Sequence, residues 1–268
     1  MKLKKANILL ALLSIIIMLT SCDNVFEFSP YEANVKNANR NTTAKNLQLI
    51  KDIQVNSDTF KFAFVTDNHF HYNSLKTVID DINRRNEILF VLFGGDITHQ
   101  GLLKEYQIFH DILRNLHKPY LTVIGNHDYL SNGELVYKQM FGDYNYSFDF
   151  NNNKFVIFDD VVWESNKNPD FDWLSTQLYD NQLFNQVIVI AHIPPFSDPF
   201  DNDMEQKYKS IMQENNVQLS MHGHVHSYSF ERVYDDSVSY LTVPDLKEPI
   251  YCIINVYNKS FDFELKEL

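Results

Sequence analysis

FKFAFVTDNH, residues 60–69, decides the fold: a run rich in apolar and β-favouring residues, Phe60 to Thr66, stops abruptly at Asp67-Asn68-His69. A short apolar run bounded by polar residues reads as a buried strand. Moving outward, Asn73 to Asn86 carries Leu75, Val78, Ile79 and Ile82 at positions i, i+3, i+4 and i+7, the apolar stripe of a helix. Ile88 to Phe93 is the next strand, Gly101 to Leu116 a helix with Leu102, Tyr106, Phe109, Leu113 and Leu116 on one face, and Tyr120 to Ile124 a third strand. The order is βαβαβ. Beyond a turn at Ser131-Asn132-Gly133, a short helix is predicted over Glu134 to Phe141 and strands over Tyr146 to Phe150 and Lys154 to Asp159. A helix over Asp170 to Tyr179, a strand over Gln186 to Ile190 and a helix marked by Met204, Tyr208, Ile211 and Met212 follow. The chain then reads as mostly antiparallel strands: Val217 to Met221, Ser227 to Tyr234, Val238 to Val243, Ile250 to Tyr257 and Phe261 to Leu265. An alternating half followed by a strand-rich half predicts a layered α/β fold.

With 268 residues, 44% hydrophobic and 14% aromatic, the chain can build one large core, and no linker divides it. Acidic residues outnumber basic ones 35 to 23, which argues against nucleic-acid binding through a basic patch. The only cysteines, Cys22 and Cys252, lie in different contexts, so no disulfide framework is indicated, and Cys252 in an apolar strand reads as a buried small hydrophobe. Residues 1–21 read as an export signal: Lys2, Lys4 and Lys5 precede an apolar run from Ile8 to Leu19 broken only by Ser14. That run is short for a membrane span, which needs about 20 residues. It ends in Leu19-Thr20-Ser21-Cys22, which resembles the bacterial lipoprotein signal and implies cleavage before Cys22 and a lipid on its thiol. The expectation is an extracytoplasmic, membrane-anchored lipoprotein. Residues 22–58 read as a polar tether containing one helical candidate, Asn46 to Ile53, and residues 59–268 as the domain.

Five polar clusters each begin where a predicted strand ends: Asp67-Asn68-His69, Gly94-Gly95-Asp96, Gly125-Asn126-His127-Asp128, Ala191-His192 and His222-Gly223-His224-Val225-His226. Ligands of open α/β sheets bind at the carboxyl ends of strands, so these clusters can share one crevice. Imidazole nitrogens combined with carboxylate oxygens suit Mn, Fe, Zn, Co or Ni, whereas four candidate histidine ligands argue against Mg and Ca. Singly, Asp67, Asp96 and Asn126 are ordinary turn residues, and it is the accompanying histidines that favour metal.

In their order and spacing the clusters resemble the motif of the calcineurin-like metallophosphoesterases: Asp-x-His, Gly-Asp, Gly-Asn-His-Asp, a lone His, then Gly-His-x-His. The resemblance covers roughly Phe60 to Leu265 and implies a four-layer αββα sandwich, two mixed sheets flanked by helices. It also implies two divalent metal ions. One takes Asp67, His69, Asp96 and His226, the other Asp96, Asn126, His192 and His224, with Asp96 bridging. The implied reaction is hydrolysis of phosphoric esters by a hydroxide held between the metals, with His127 as proton donor to the leaving group.

Many members carry an acid three residues after the Gly-Asp aspartate, orienting the catalytic histidine, and here that position is His99. Asp128 is one candidate replacement, and His99 itself is a candidate substrate contact. Gln100 stands where the protein Ser/Thr phosphatases have an arginine, which argues against that branch. The Gly-Asp-Ile-Thr-x-x-Gly run resembles the group containing cyclic-nucleotide phosphodiesterases, so a small phosphodiester is favoured over a phosphomonoester or nucleotide. The alternative of another class is a metal-containing surface binding protein without turnover. His110 and His117 are assigned to structure, and His71 and His222, beside the motifs, are candidates equally for a supporting or solvated role and for a substrate contact.

Overall fold

The computed structural model describes residue 29 and residues 32–179, 183–234 and 237–268. The export signal and Cys22 lie outside the described residues. Among those described, no helix is long and apolar enough to cross a membrane.

Every strand and helix read from the pattern is present. β1 (Phe60–Val65), β2 (Ile88–Phe93) and β3 (Tyr120–Thr122) run parallel, and β10 (Ile250–Val256) and β11 (Phe261–Glu267) extend this sheet antiparallel in the order β11-β10-β1-β2-β3. The second sheet has the order β4-β5-β6-β7-β9-β8, built from β4 (Tyr146–Phe150), β5 (Asn153–Phe158), β6 (Gln186–Ala191), β7 (Leu219–His222), β8 (Ser229–Glu231) and β9 (Ser239–Thr242). Here the late strands depart from the antiparallel expectation. β7 and β9 continue the parallel run from β5 and β6, and β8 joins as an antiparallel edge. Orientation follows from where a connection returns. The helix between β6 and β7 carries the chain back across the sheet, so β7 must run parallel to β6.

The layers follow from the alternation of side chains along each strand. From β1, Phe60, Phe62 and Phe64 face inward with Phe90, Phe155, Ile188 and Leu219, forming the core between the two sheets. Ala63 and Val65 face the other way, under α2 (Tyr72–Arg84), α3 (Leu103–Leu113) and α4 (Gly133–Met140). On the far side, Val156, Val187 and Val189 meet α5 (Phe171–Leu178) and α6 (Asn202–Glu214). Helices, sheet, sheet, helices: this is the four-layer sandwich. β1 is buried on both faces, which is why its sequence is nearly continuous in apolar residues instead of alternating.

The stretch read as a tether is in part built into the domain. Helix α1 (Thr42–Lys51) begins a turn earlier than expected and buries Ile50 between the sheets, while Val35 joins the outer core. The physical reason is that β3 is an edge strand, whose unpaired backbone groups need cover. The Asn46 side chain accepts from the Tyr120 amide at 3.0 Å, and the Thr42 hydroxyl donates to the Met140 carbonyl at 2.9 Å.

Candidate metal centre

β1, β2 and β3 in one sheet and β6 and β7 in the other end at the same rim, and the five clusters occupy the turns that follow. Asp67, His69, Asp96, His224 and His226 all adopt left-handed backbone, at φ 50, 46, 49, 67 and 53°. Such conformations are costly for residues other than glycine and gather at functional sites. Two close approaches require glycine. A Cβ at Gly125 would lie 2.2 Å from both the amide nitrogen and Oδ1 of Asp96, and one at Gly223 would lie 2.2 Å from Asp67 Oδ2.

The seven predicted ligands converge in two sets around one carboxylate. In the first, His69 Nε2 lies 3.7 Å from Asp96 Oδ2, 3.9 Å from Asp67 Oδ1 and 3.2 Å from His226 Nε2, which is itself 3.2 Å from Asp67 Oδ1. The ligand atoms of these four residues all fall within 4.8 Å of one another. In the second, His192 Nε2 lies 3.4 Å from Asp96 Oδ2 and 3.1 Å from Asn126 Oδ1, and His224 Nδ1 is 3.1 Å from the same Asn126 oxygen. Asp96 Oδ2 belongs to both sets.

Electrostatics and hydrogen bonding fit a divalent pair. Burial pushes His69 down to about 4 despite the carboxylates of Asp96 and Asp67, so at neutral pH it offers a lone pair. Burial also lowers His224, yet its Nδ1 faces Asn126 Oδ1 and its Nε2 faces the Asp198 carbonyl at 3.2 Å. A neutral imidazole has one proton for these two oxygens, and His224 Nδ1 and Asn126 Oδ1 would both be satisfied as ligands of a cation. His192 behaves differently: burial pulls it down, but the Asp96 carboxylate overcomes this and raises it to about 10. Its Nδ1 donates to the Gly94 carbonyl at 2.8 Å, which leaves Nε2 as the atom directed at Asp96. Burial would likewise raise Asp96, but His192, His69 and His127 hold it well below the usual carboxylate range. A wholly buried carboxylate flanked by imidazole nitrogens, with no thiolate among the described residues beside it, is a donor set for Mn, Fe, Zn, Co or Ni.

His127 lies beside the first set, its ring centroid 4.6 Å from that of His69, and its amide donates to Asp96 Oδ1 at 2.8 Å. Its Nδ1 is 2.7 Å from the main-chain carbonyl of His99, which leaves Nε2 free. The position that lacks the usual acid therefore still contacts the histidine, through its backbone. The His99 ring stacks over His127 at 5.2 Å, and its Nδ1 is buried without a hydrogen-bond partner among the described residues. Asp128 does not reach the His127 ring as considered from sequence. Its carboxylate accepts from the amides of Ile97, Thr98 and Gly125 at 3.2, 2.9 and 3.0 Å and from the Thr98 hydroxyl at 2.8 Å. It ties the loop after β2 to the loop after β3. Burial and the charge of Asp96 raise it to about 7.

Four residues outside the sequence reading support the ligands. Glu164 accepts from Asn126 Nδ2 at 3.0 Å and so turns Oδ1 inward. Asp160 accepts from the amides of His192 and Ile193 at 3.1 and 2.9 Å. The Thr66 hydroxyl donates to Asp67 Oδ2 at 2.6 Å, and Asp245 lies 3.8 Å from His226 Nδ1. Asp160 carried the same signal as the ligands, an acid just after a strand, whereas Glu164 and Asp245 carried none. His222 is fully buried, its Nε2 2.8 Å from the Ser220 hydroxyl and its ring centroid 6.3 Å from those of Tyr208 and Tyr240.

The sequence model of one family, described as calcineurin-like phosphoesterase, matches residues 60–228. A protein of Xenorhabdus bovienii named a probable cyclic nucleotide phosphodiesterase is 24% identical over 190 residues, 66% of this chain and 77% of that one. Among solved structures, a purple acid phosphatase from yellow lupin seeds superposes with a TM-score of 0.65 at 15% identity, over 79% of this chain and 52% of its own. A dimetal phosphatase from Danio rerio gives 0.63 at 13% identity, over 78% and 96%. This chain thus spans about half of the lupin chain, and at such identities these two likenesses speak to fold alone.

Proposed function

The chain belongs to the calcineurin-like phosphoesterase family and is a metal-dependent phosphoester hydrolase, and from that premise we propose that it hydrolyses small phosphodiesters at a dinuclear centre. The observation that carries this reading is the placement of Asp96 Oδ2 between His69 Nε2 and His192 Nε2, at 3.7 and 3.4 Å, each with its own remaining ligand set.

Asp67, His69, Asp96 and His226 would hold one ion, and Asp96, Asn126, His192 and His224 the other. When bound, the pair would neutralise phosphate oxygens and lower the pKa of a water to near 7. The rest falls to the chain's own groups. The His99 carbonyl fixes His127 Nδ1, so Nε2 is the atom available to give a proton to the departing oxygen. The bond from the His127 amide to Asp96 fixes that residue relative to the carboxylate shared by both ligand sets. Glu164 keeps Asn126 oriented, and Asp128 holds the two motif loops in register.

A diester is preferred because the Gly-Asp-Ile-Thr-x-x-Gly run resembles the cyclic-nucleotide group and because the Xenorhabdus relative bears a phosphodiesterase name. The export signal over residues 1–21 and Cys22 support an extracytoplasmic, lipid-anchored enzyme. External nucleotides or lipid headgroups then fit better as substrates than an intracellular signalling pool. The test is to load the purified protein with Mn and assay bis(p-nitrophenyl) phosphate, p-nitrophenyl phosphate and a cyclic nucleotide, with Asp96→Asn as control. Diester turnover that requires metal and disappears in the variant is expected. Faster monoester turnover would overturn the diester preference, and no metal-dependent turnover on any substrate would overturn the enzymatic reading.

A further inference from the structure

At the opposite end of the five-stranded sheet from the metal centre lies a groove whose charge runs against that of the chain. It is a cavity of about 540 Å³ between α1, the end of α3 and the start of β3, and its walls include Lys45, His110, Arg114, His117 and Lys118 but no Asp or Glu. In a chain of net charge -12 such a gathering is not expected from composition. The fixed charges are also weakly compensated. Lys45 donates to the Ala38 carbonyl at 3.2 Å and Arg114 to Asn39 Oδ1 at 3.3 Å, both neutral acceptors. Arg114 approaches Asp111 at 3.7 Å, with both side chains more than 60% exposed, a pairing that water and salt largely screen. Lys118 makes no ion pair among the described residues, and the Glu87 carboxylate acts on it from outside the groove lining. Leu49, 56% exposed, adds an apolar side chain to the lining.

Position gives this charge a purpose. The metal ligands follow the carboxyl ends of β1, β2 and β3, whereas Pro119 and Tyr120 in the groove stand at the amino end of β3. Ala38, Thr42, Lys45, Asn46 and Leu49 of the groove come from the segment that joins Cys22 to the domain. The first described stretch of the chain after its proposed lipid anchor therefore lines this basic groove.

We propose that this groove is a docking surface for the headgroups of anionic phospholipids, setting the domain on the membrane with its catalytic crevice turned away. The proposal rests on the export reading and not on the reaction. Each Lys or Arg near an anionic bilayer strengthens binding by about 1 kcal/mol, a factor of about five, and the effect fades with salt.

The experiment uses the full chain carrying Cys22→Ser, so that no lipid is attached, sedimented with vesicles of phosphatidylcholine alone or of phosphatidylcholine with phosphatidylglycerol. The apolar run near the N-terminus and Lys2, Lys4 and Lys5 before it are common to every variant, so the quantity read is how far the groove substitutions reduce the gain from phosphatidylglycerol. Phosphatidylglycerol should strengthen binding, and Lys45→Ala with Lys118→Ala should reduce that gain by about 25-fold, as two cations are lost. Because Lys118 is half-buried, Lys45→Ala with Arg114→Ala serves as a second pair, and circular dichroism reports folding of both. A gain unchanged in both folded pairs refutes the proposal. So does a gain abolished by millimolar inorganic phosphate at constant ionic strength, which marks a pocket for a small free anion instead. Hydrolysis of a soluble ester should be the same in all variants. Its absence throughout would count against the phosphoesterase reading while leaving the vesicle result to judge the groove.

Discussion

Gly125→Ala is the sharpest test of the geometry at the metal centre. The added Cβ would sit 2.2 Å from the Asp96 amide nitrogen and 2.2 Å from Asp96 Oδ1, where ordinary contact begins at 3.4 Å. Something must therefore move by about 1 Å, and neither side is free to do so. Asp96 is held through Oδ1 by the His127 amide at 2.8 Å, and the Gly125 amide is held by Asp128 at 3.0 Å. Overpacking of this kind costs about 1–3 kcal/mol. For a domain of this size that lowers Tm by about 2–12 °C. The functional loss should be larger, because the displaced groups are ligands of both sets, and misplacement by about 1 Å costs roughly 100-fold in rate. Circular dichroism should show the fold retained, while metal analysis and diester hydrolysis should show depleted metal and turnover reduced by about that factor. Wild-type metal content with kcat/KM within about threefold would refute the claimed contact at Asp96.

His127→Ala should keep its metal but lose about 10²–10⁴-fold on alkyl esters and much less on activated aryl esters. Equal losses on both would remove His127 as proton donor. Metal binding should release protons, since His192 holds one up to about 10 whereas His69, lowered to about 4, has none to give at neutral pH. Affinity should therefore rise with pH, and calorimetry in buffers of different ionisation enthalpy should show the release; heats independent of buffer would contradict it. Away from the site, burial favours protonation of Asp81, but bonds from Arg85 and Tyr251, both at 2.7 Å, hold it below its ordinary range. A depressed carboxylate contributes stability above its unfolded pKa of about 3.9 and loses it as pH falls through the folded value. Asp81→Asn should consequently lower Tm at pH 6, and the gap to wild type should close below about pH 4; a constant gap would refute the pairing of α2 with β10.

Local pattern carried the fold a long way, because β1, β2 and β6 are buried on both faces and write themselves as unbroken apolar runs. Pairing direction was less legible. β7 and β9 look like the antiparallel strands around them, and only the return path of the chain decides that they pair parallel. The packing of Val35 and Ile50, before β1, is hard to read for a similar reason. Composition around Asn37 to Asn41 is that of a linker, while the burial of Val35 and Ile50 depends on an edge strand and a gap between sheets that no local window contains.

At the site, the candidate ligands are legible in the sequence and the residues that aim their side chains are not. The ligands stand in motifs immediately after strands, where type and position coincide. Glu164 and Asp245 reach the centre from loops of no particular pattern, because a carboxylate needs only one good angle to orient an amide or an imidazole. His99 shows the limit most clearly. Sequence logic treats the missing acid as a missing partner for His127, yet the turn after β2 brings a main-chain carbonyl to 2.7 Å from Nδ1 whatever side chain that residue carries. A carbonyl fixes the tautomer as an acid would, but contributes a dipole in place of a full charge. Orientation of His127 is thereby separated from stabilisation of its protonated form, and position 99 becomes free to vary without losing the geometry that proton transfer requires.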